Sequence, residues 1–591
     1  MHSRPLSLAF ILTFGVMGIA VAGGMPSVDT SPQPPGDQVT IPAVVANAPG
    51  FIVIHESKAN GKPVVPASIG HTAVETGTNK DVVVKLDHPV KAGDKLFAML
   101  HKDTGNKGVY AFGPGSVHVD PPVVVDGHPL VRSFTVADRS GKAAGIIQAP
   151  ALPGAQAISR RDRVYTADQS SNTVTVIEPA TNTVLGTIAL GSQRLDGVLG
   201  PVDRGEVNVH GLGFSRDGRL LIAVSVTSDT AQIIDTATNK VVQTLRTGRS
   251  PHEGFIGPKG KTAWVAVRGE NNVEVFDIGS GKLLDRIVTA EGPSKVVFSP
   301  DGKRAYVNHL FTNELDVIDV ASRRIVKRIA IPKKAGGSAD LAVSPDGKEV
   351  WLGHPKTGKT TVIDAKSLTV KTVLDTGART NHPNFVTRNG VDYAYVTVGG
   401  ENVTKVYRRP SDGGNPVQVD TIKNSGVGPH GIWPSPDNTR LYVVLQKSDA
   451  LDVIDTATNK VIDTLDVGQD PQALVYVAGA VPAGQPGTSS LSRQGLGERV
   501  ANLPINTDRI GGNAHGLANI RAEDGLDEVD ISARGLPAGK RFDVYASRDG
   551  NTEKLMTVTA NPGGVVPEAL AFTAFFDNYD SVLLVPEGVR P

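Results

Sequence analysis

The chain contains no cysteine among its 591 residues. This absence excludes disulfide bonds, iron–sulfur clusters, thiolate copper sites and covalently attached c-type haem. A net charge is also lacking, because lysine plus arginine and aspartate plus glutamate number 60 each. A neutral balance gives no electrostatic footprint for nucleic acid or for an anionic membrane, so neither partner is expected.

Long apolar runs are missing except at the N-terminus. There Arg4 precedes an apolar stretch from Leu6 to Ala22, which ends in Ala20-Val21-Ala22. A basic residue, an apolar core and an A-x-A motif are typical of a cleaved secretory signal peptide. The stretch is at the lower limit for a membrane span, about 17 residues. We therefore predict a signal peptide over residues 1–22 and a periplasmic or secreted mature protein without a membrane span.

A repeat of about 40 residues fills the middle of the chain. Its first half reads FSPDGKRAYV at 298–307 and PSPDNTRLYV at 434–443, and its second half reads VIDVASRRIV at 317–326. Each half consists of short β-branched runs, and S-P-D-G or D-N marks a tight turn between them. No helical period interrupts these runs. Four short strands in each repeat predict the blades of a β-propeller.

Seven such units predict a seven-bladed propeller over residues 154–478. After the seventh unit, PQALVYV at 471–477 matches the first strand of a blade. We predict that this strand completes blade 1, because closing the ring removes exposed sheet edges. The motifs Y-V-x-N and V-I-D-T-A-T resemble those of the YVTN-repeat β-propeller family. The resemblance implies the fold and leaves the function open, since one fold hosts many kinds of site.

Two shorter regions with strand-like alternation flank the propeller, so the predicted fold class is all-β: a seven-bladed β-propeller flanked by two small β-sandwich domains. Residues 51–137 predict an immunoglobulin-like sandwich and resemble a domain of unknown function common in exported prokaryotic proteins. Residues 500–591 predict a second small β domain. Segments rich in proline, alanine, glycine or serine are predicted to be linkers: residues 23–50, 138–153 and 479–499.

One motif imitates a nucleotide site. GHPKTGKT at 353–360 fits the P-loop pattern, whose chemistry needs a helix N-terminus to receive the phosphate. Here the segment leads into the strand TTVIDA, so it predicts a β-hairpin. We therefore expect no nucleotide cofactor.

Six histidines are predicted to gather around the central channel at one face of the propeller. Four of them open the first, innermost strand of their blades. The other two end the second strand of blades 4 and 5, which lack the first histidine, and in an antiparallel meander both positions lie at the same face. The first four are His210, His252, His382 and His430, and the other two are His309 and His354. Blade 1 offers glutamine instead, either Gln156 or Gln472 in the closing strand.

Neutral imidazole is a preferred ligand for copper, zinc, nickel and iron, and the absence of thiols favours copper. The arrangement resembles nitrous oxide reductase and thiocyanate dehydrogenase, exported enzymes whose histidine-rich copper centres lie on a propeller axis. Only this placement is shared, and no sequence motif aligns with either family. Three neighbouring residues are predicted as a base, an anion clamp or a further ligand: Glu253, Arg268 and Asp340.

A structural explanation of the histidines stays open. Duplication of a repeat can place histidine at matching positions, and each ring can simply bond a nearby carbonyl. The leading hypothesis is an exported binding protein with a histidine-lined axial site for a transition metal such as copper. The alternatives are a copper-dependent periplasmic oxidoreductase acting on a small molecule, and a non-catalytic surface scaffold that binds protein or polysaccharide.

The flanking domains carry weaker signals. Six histidines in the N-terminal sandwich follow no ligand spacing and are predicted to be scattered over its surface: His55, His71, His88, His101, His118 and His128. An acidic cluster in the C-terminal domain lacks the EF-hand spacing and is predicted to be a solvated loop: Glu523, Asp524, Asp527, Glu528 and Asp530.

Overall fold

A computed structural model describes residues 25–30, 33, 35–58, 61–91, 93–125, 127–136, 156–192, 205–523 and 525–591. The predicted signal peptide and the predicted linker at 138–153 lie outside these residues. The chain divides into two compact units, Met1–Lys142 and Ala143–Pro591. In the part of the chain that is described, no helix has the length and apolar character needed to cross a membrane.

The N-terminal unit consists of two antiparallel sheets around one apolar core. Its strands are β1 (Ser27–Asp29), β2 (Gly36–Ala46), β3 (Gly50–Glu56), β4 (Gly70–Val74), β5 (Gly77–Val90), β6 (Lys95–Lys102), β7 (Val124–Val125), β8 (His128–Pro129) and β9 (Val131–Thr135). The sheets have the orders β1-β2-β5 and β4-β3-β6-β9, and β7 and β8 form a separate hairpin. The core joins Val44 of the first sheet to Ile54 and Leu100 of the second.

The predicted linker at 23–50 is wrong for most of its length. Strand β2 lies inside it and pairs with β5 from Gly36 to Ala46. Val39, Ile41 and Val44 of β2 are buried in the core, so this strand is part of the domain. The alternation of apolar and polar residues in QVTIPAVVA is a strand signal that the high proline and alanine content concealed.

The propeller has seven four-stranded antiparallel sheets. Blade 1 contains β10 (Arg163–Asp168), β11 (Thr173–Glu178), β12 (Thr183–Ala189) and β37 (Pro471–Val477); blade 2 contains β13 (Val209–Phe214), β14 (Leu220–Ser225), β15 (Thr230–Asp235) and β16 (Lys240–Arg246); blade 3 contains β17 (Pro251–Ile256), β18 (Thr262–Val267), β19 (Asn272–Asp277) and β20 (Leu283–Val288). Blade 4 contains β21 (Pro293–Phe298), β22 (Arg304–His309), β23 (Glu314–Asp319) and β24 (Arg324–Ala330); blade 5 contains β25 (Asp340–Val343), β26 (Glu349–His354), β27 (Lys359–Asp364) and β28 (Thr369–Asp375). Blade 6 contains β29 (Thr380–Arg388), β30 (Val391–Val398), β31 (Val403–Arg409) and β32 (Val417–Lys423); blade 7 contains β33 (Pro429–Pro434), β34 (Arg440–Leu445), β35 (Ala450–Asp455) and β36 (Lys460–Asp466). The all-β, seven-bladed fold class is thus confirmed.

Ring closure occurs through the C-terminal strand of the propeller. The order in blade 1 is β12-β11-β10-β37, so β37 takes the innermost place that the first strand takes in the other blades. Gln156 precedes β10 in an exposed segment outside any strand, which makes its assignment to the axial position wrong. Gln472, the second residue of β37, occupies that position.

The S-P-D-G motif explains why the blades share one register. In blade 4 the Ser299 hydroxyl donates to the Asp301 carboxylate at 2.6 Å, and the same carboxylate accepts the Lys303 amide at 3.0 Å. Gly302 has φ of +70°, a left-handed conformation that glycine adopts without steric cost. This turn fixes where the second strand begins, and therefore which residues of both strands reach the channel face.

The C-terminal domain is a second two-sheet structure. It contains β38 (Val500–Pro504), β39 (His515–Ala522), β40 (Asp527–Arg534), β41 (Arg541–Arg548), β42 (Asn551–Thr559), β43 (Val566–Thr573), helix α1 (Phe575–Asn578) and β44 (Ser581–Pro586). The sheets have the orders β38-β39-β40-β43 and β42-β41-β44. Ile520 and Val529 of the first sheet pack in one core with Val544 and Leu584 of the second.

The segment before this domain is bonded to the propeller rather than flexible. The Asn239 side-chain amide donates to the Gly487 carbonyl at 3.1 Å, and the Gln494 amide donates to the Ser171 carbonyl at 2.8 Å. The Thr187 and Ser492 hydroxyls lie 2.9 Å apart. The prediction of a flexible linker at 479–499 is therefore wrong, because backbone and side-chain groups of this segment bond to blades 1 and 2.

Buried ion pairs attach the C-terminal domain to the propeller. Arg521 Nε donates to Asp449 Oδ1 at 2.9 Å, and Lys447 of blade 7 pairs with Asp530. Glu523, Glu528 and Asp530 are buried, so the predicted solvated acidic loop is wrong for these residues. Lys447 and Asp449 follow β34 at the face where β33 begins. The C-terminal domain therefore lies on the face of the propeller that carries the histidines.

Candidate metal site at the channel mouth

The structure brings the four first-strand histidines together as two pairs. His210, His252 and His430 are the second residues of their innermost strands, and His382 is the third. The ring centroids of His210 and His252 lie 4.3 Å apart, and those of His382 and His430 lie 4.6 Å apart. We call these four residues the channel-mouth histidines.

Each channel-mouth histidine uses Nδ1 as a hydrogen-bond donor. His252 Nδ1 donates to the Ser294 carbonyl and His430 Nδ1 to the Gln472 carbonyl, both at 2.9 Å. His210 Nδ1 donates to Gln169 Oε1 at 2.8 Å, and His382 Nδ1 lies 3.0 Å from Asp340 Oδ2. These oxygens accept, so Nδ1 carries the proton. Among the described residues no hydrogen bond reaches Nε2 of any of the four rings.

Three of these rings resist protonation. Burial, followed by the nearby charge of Arg268, lowers the pKa of His210 to about 3. Burial and the neighbouring His210 place the pKa of His252 well below its usual range, and burial with His382 does the same for His430. A neutral imidazole with its proton on Nδ1 presents the Nε2 lone pair, which is the form that binds metals.

Two charged residues border the mouth. Arg268 follows β18 and is close enough for its charge to act on His210 and His252, and no described residue bonds its guanidinium. Asp470, just before β37, accepts from the Gln472 side-chain amide at 3.1 Å and lies 3.7 Å from Arg521 of the C-terminal domain. The mouth is thus bordered by a cation of the propeller and connected to the domain above it.

A buried charged layer lies directly below the mouth. Lys295 Nζ is 2.7 Å from Asp340 Oδ2 and 3.2 Å from Glu253 Oε2. Burial alone would raise the pKa of Asp340, but His382 and Lys295 lower it to about 2. Burial raises the pKa of Glu253 against the opposing effect of Lys295. Sequence reasoning missed Lys295, although it follows Ser294 in blade 4 as Glu253 follows His252 in blade 3.

This layer also contains a trio with metal-ligating chemistry. One ligand atom each of Glu253, Asp340 and His382 lies within 4.8 Å of the others. The Lys295 ammonium contacts both carboxylates, and the cavity beside them measures about 10 Å³, room for about one water. A metal ion would have to displace an ammonium that already neutralises the carboxylates. The trio therefore fits an internal ion-pair network better than a metal site.

The second-strand histidines do not join the mouth. His309 Nδ1 donates to the Glu314 carbonyl at 3.1 Å, and its Nε2 lies 3.5 Å from Asp316 Oδ2. His354 uses both nitrogens, with Nδ1 bonded to the Gly337 carbonyl at 3.1 Å and Nε2 to Thr361 Oγ1 at 2.8 Å. We call His309 and His354 the wall histidines. The expectation that they reach the channel is wrong, because their rings turn toward the third strand or an adjacent loop.

A cleft between the propeller and the C-terminal domain opens beside the mouth. It has a volume of about 220 Å³ and is lined by Asn381, Lys447, Asn519 and Asp530 among others. Asn381 is adjacent to His382. No sequence pattern indicates this cleft, because it depends on how two domains dock. The P-loop look-alike at 353–360 forms the β26–β27 hairpin, as predicted.

Comparison with known proteins agrees with the architecture. Residues 224–466 match the model of the lactonase seven-bladed β-propeller family, which agrees with the seven blades of the structure. Residues 26–137 match a domain of unknown function, DUF7282, which includes the strands before residue 51. No match was found among curated proteins.

Three solved structures are similar to this chain. Hydrazine synthase of Kuenenia stuttgartiensis is 19% identical, over 45% of this chain and 90% of that one, with a TM-score of 0.40. A functionally unknown protein from Desulfotomaculum acetoxidans is 14% identical, over 53% and 98%, with a TM-score of 0.45. The periplasmic gluconolactonase PpgL of Pseudomonas aeruginosa is 17% identical, over 54% and 99%, with a TM-score of 0.43.

Proposed function

We propose that the channel mouth binds a transition-metal ion, copper in the first place, through Nε2 of the channel-mouth histidines. The observation that carries the proposal is the shared Nδ1 pattern. In all four rings Nδ1–H donates a hydrogen bond to an oxygen of the protein. A hydrogen bond of this kind normally orients a metal-binding imidazole. Imidazole without thiolate suits copper(II), which also binds nitrogen sites most strongly among the common divalent ions.

The close ring contacts lie within the pairs, so each pair would hold an ion through two nitrogens. His210 and His252 form one pair of nitrogen ligands, and His382 and His430 form the other. A bound copper ion would supply Lewis acidity or one-electron chemistry. Arg268 would orient an anionic or carbonyl-bearing ligand beside it, because its guanidinium is an extended hydrogen-bond donor.

Metal content of the purified full chain tests this function. The protein is loaded separately with copper and zinc, desalted and measured by mass spectrometry. The double variant His210→Ala/His252→Ala should lose bound metal relative to the wild type. His515→Ala, an exposed histidine of the C-terminal domain, is the matched control and should lose none. Equal metal content in wild type and double variant would sink the proposal, and a visible band that disappears on reduction would extend it to a copper oxidoreductase.

Export is part of the same proposal. It rests on the sequence of residues 1–22, which predicts cleavage after Ala22. Mass spectrometry of the protein from the periplasm or medium should show a mature chain that begins at Gly23. A full-length chain retained in the cytosol would contradict this.

A second function is favoured by the match to the lactonase family and by Arg268. The Arg268 guanidinium at the mouth can stabilise the oxygen of a lactone carbonyl while water attacks its carbon. If so, metal-free protein should hydrolyse an aldonolactone, and Arg268→Gln should lower kcat/KM by about 100-fold. Unchanged hydrolysis in Arg268→Gln, or none in the wild type, would exclude this function while leaving metal binding to be judged separately.

A further inference from the structure

Two histidines of the N-terminal unit are wholly buried, contrary to the prediction that its histidines lie on the surface. His55 of β3 and His101 of β6 are both 0% exposed. Their ring centroids are 6.0 Å apart, with the planes inclined by 28°. Both belong to the sheet β4-β3-β6-β9, where His55 pairs with Phe97 and His101 with Phe51, so the two rings approach each other along one face of the sheet.

In both rings Nδ1–H donates to backbone carbonyls. His55 Nδ1 donates to the carbonyls of Val64 and Ala67 at 2.9 and 2.7 Å. His101 Nδ1 donates to the Asp120 carbonyl at 2.7 Å. Because a carbonyl can only accept, each Nδ1 carries the proton and each Nε2 keeps a lone pair on the other side of the ring. Burial lowers the pKa of both rings, that of His101 to about 4, so they stay neutral.

Three polar atoms of this cluster have no hydrogen-bond partner among the described residues. They are Nε2 of His55, Nε2 of His101 and the hydroxyl of Tyr110, all shielded from solvent. The Tyr110 ring lies 5.5 Å from that of His101. Buried polar atoms are almost always paired, and each unpaired one destabilises the fold. Three such atoms on neighbouring rings indicate a site built for a group that bonds them.

We propose that His55 and His101 bind one copper or zinc ion through their Nε2 atoms, with the Tyr110 hydroxyl oxygen as a third donor. A metal–imidazole bond is about 2.0–2.1 Å, so the centroids of two rings on one ion lie about 5 Å apart at a tetrahedral angle and about 6 Å apart when the rings face each other. The observed ring separation of 6.0 Å matches this span. Late transition metals that accept neutral imidazole without thiolate fit this donor set.

The segment after β6 covers the site. The Asp120 carboxylate accepts the backbone amides of Thr104, Gly105 and Ala111 at 2.7–2.9 Å, which holds this segment in place. The Phe112 ring lies 4.8 Å from that of His101. The proposed ion is thus covered by a segment that hydrogen bonds to Asp120 hold in place.

Anomalous diffraction separates this site from the channel mouth without any substitution. Crystals of the wild-type full chain are grown with copper or with zinc, and data are collected at the absorption edge of each metal. We expect an anomalous peak between His55 and His101 with at least one of the two metals. Density without an anomalous signal between the rings would identify a bridging water and overturn the proposal, whatever is found at the mouth.

Variants provide the quantitative test in solution. In the His210→Ala/His252→Ala background, full-length protein should still retain one tightly bound ion, and His101→Gln should remove it. Tyr110→Phe keeps the ring packing and should weaken retention about tenfold. His71→Gln is the control, because this exposed ring contacts Tyr110 at 4.7 Å and has no place in the proposed donor set. Equal metal retention in His101→Gln and His71→Gln would overturn the proposal, and the diffraction result stands if His101→Gln fails to fold.

Discussion

The channel mouth and the blade wall contain the same kind of side chain at the same end of the propeller, yet they leave it in different states. At the mouth, the four rings each make one fixed bond through Nδ1. In the wall, His354 bonds through both nitrogens, and His309 lies between a carbonyl and the Asp316 carboxylate.

The difference shows that a histidine's remaining hydrogen-bond capacity, rather than its position in the repeat, decides whether it can bind a ligand. A ring with both nitrogens bonded contributes to stability and must break a bond before it can bind anything. A ring with one nitrogen bonded is oriented and still has a lone pair to offer. Substitution of a mouth histidine should therefore reduce metal binding, and substitution of a wall histidine should reduce stability.

The largest expected effects on stability and on metal affinity come from replacing one histidine by an apolar residue in the wall and one at the mouth. His354→Phe keeps the ring volume but leaves the Gly337 carbonyl and Thr361 hydroxyl unpaired, so the free energy of unfolding should fall by about 2–4 kcal/mol. Metal retention should not change. His430→Ala loses one bond near solvent, about 1 kcal/mol, and should lower metal affinity about 100-fold or more. Urea denaturation and metal competition on both variants check this. If both variants lose the same stability and the same metal affinity, mouth and wall histidines do not differ in role.

Acid should reveal a smaller effect in which both regions behave alike. Burial lowers the pKa of His210 to about 3 and that of His354 to about 4, whereas the unfolded chain binds these protons near pH 6.5. Between those values the unfolded state holds more protons, so stability rises with pH in this window and falls as pH drops below about 6.5. At pH 5 each ring should lower the free energy of unfolding of the propeller by about 2 kcal/mol relative to neutral pH.

The His354→Phe variant isolates one of these protons. Its unfolding free energy should fall by about 2 kcal/mol less than that of the wild type between pH 7.5 and pH 5. Urea unfolding at the two pH values, followed by a probe of the propeller transition, measures the difference. Identical pH dependence in the two proteins would mean that His354 is protonated in the folded state.

Local patterns predicted much of this structure, and long-range packing accounts for what they missed. The S-P-D-G turns and alternating runs predicted seven blades and the closing strand, because those signals lie within a few residues of one another. They also predicted that His210, His252, His382 and His430 start inner strands. Nothing local showed that His309 turns toward Asp316, or that Lys295 reaches across to Glu253, since those contacts depend on neighbouring strands and blades.

Predictions that rested on amino-acid composition or on spacing in the sequence were wrong in two regions. The proline- and glycine-rich segment at 479–499 suggested a flexible chain, but its backbone carbonyls accept from Asn239 of blade 2 and from Thr187 of blade 1. The histidines of the N-terminal sandwich lack ligand spacing in sequence, yet the rings of His55 on β3 and His101 on β6 lie 6.0 Å apart on one sheet. Sequence spacing detects ligands within one strand or turn, but it does not detect ligands that lie on different strands of one sheet.

The smallest expected effect concerns the outer bond of a mouth histidine. Ser294 accepts from His252 Nδ1 through its backbone carbonyl at 2.9 Å, while its hydroxyl donates to the Ala339 carbonyl at 2.6 Å and lies 3.1 Å from the same Nδ1. Ser294→Ala keeps the carbonyl that orients the ring. Stability should fall by about 1 kcal/mol for the lost hydroxyl bond, and metal affinity should change less than about tenfold. If affinity instead falls as far as in His430→Ala, the hydroxyl rather than the backbone orients His252, and the orientation of the mouth rings depends on side chains that a single substitution can remove.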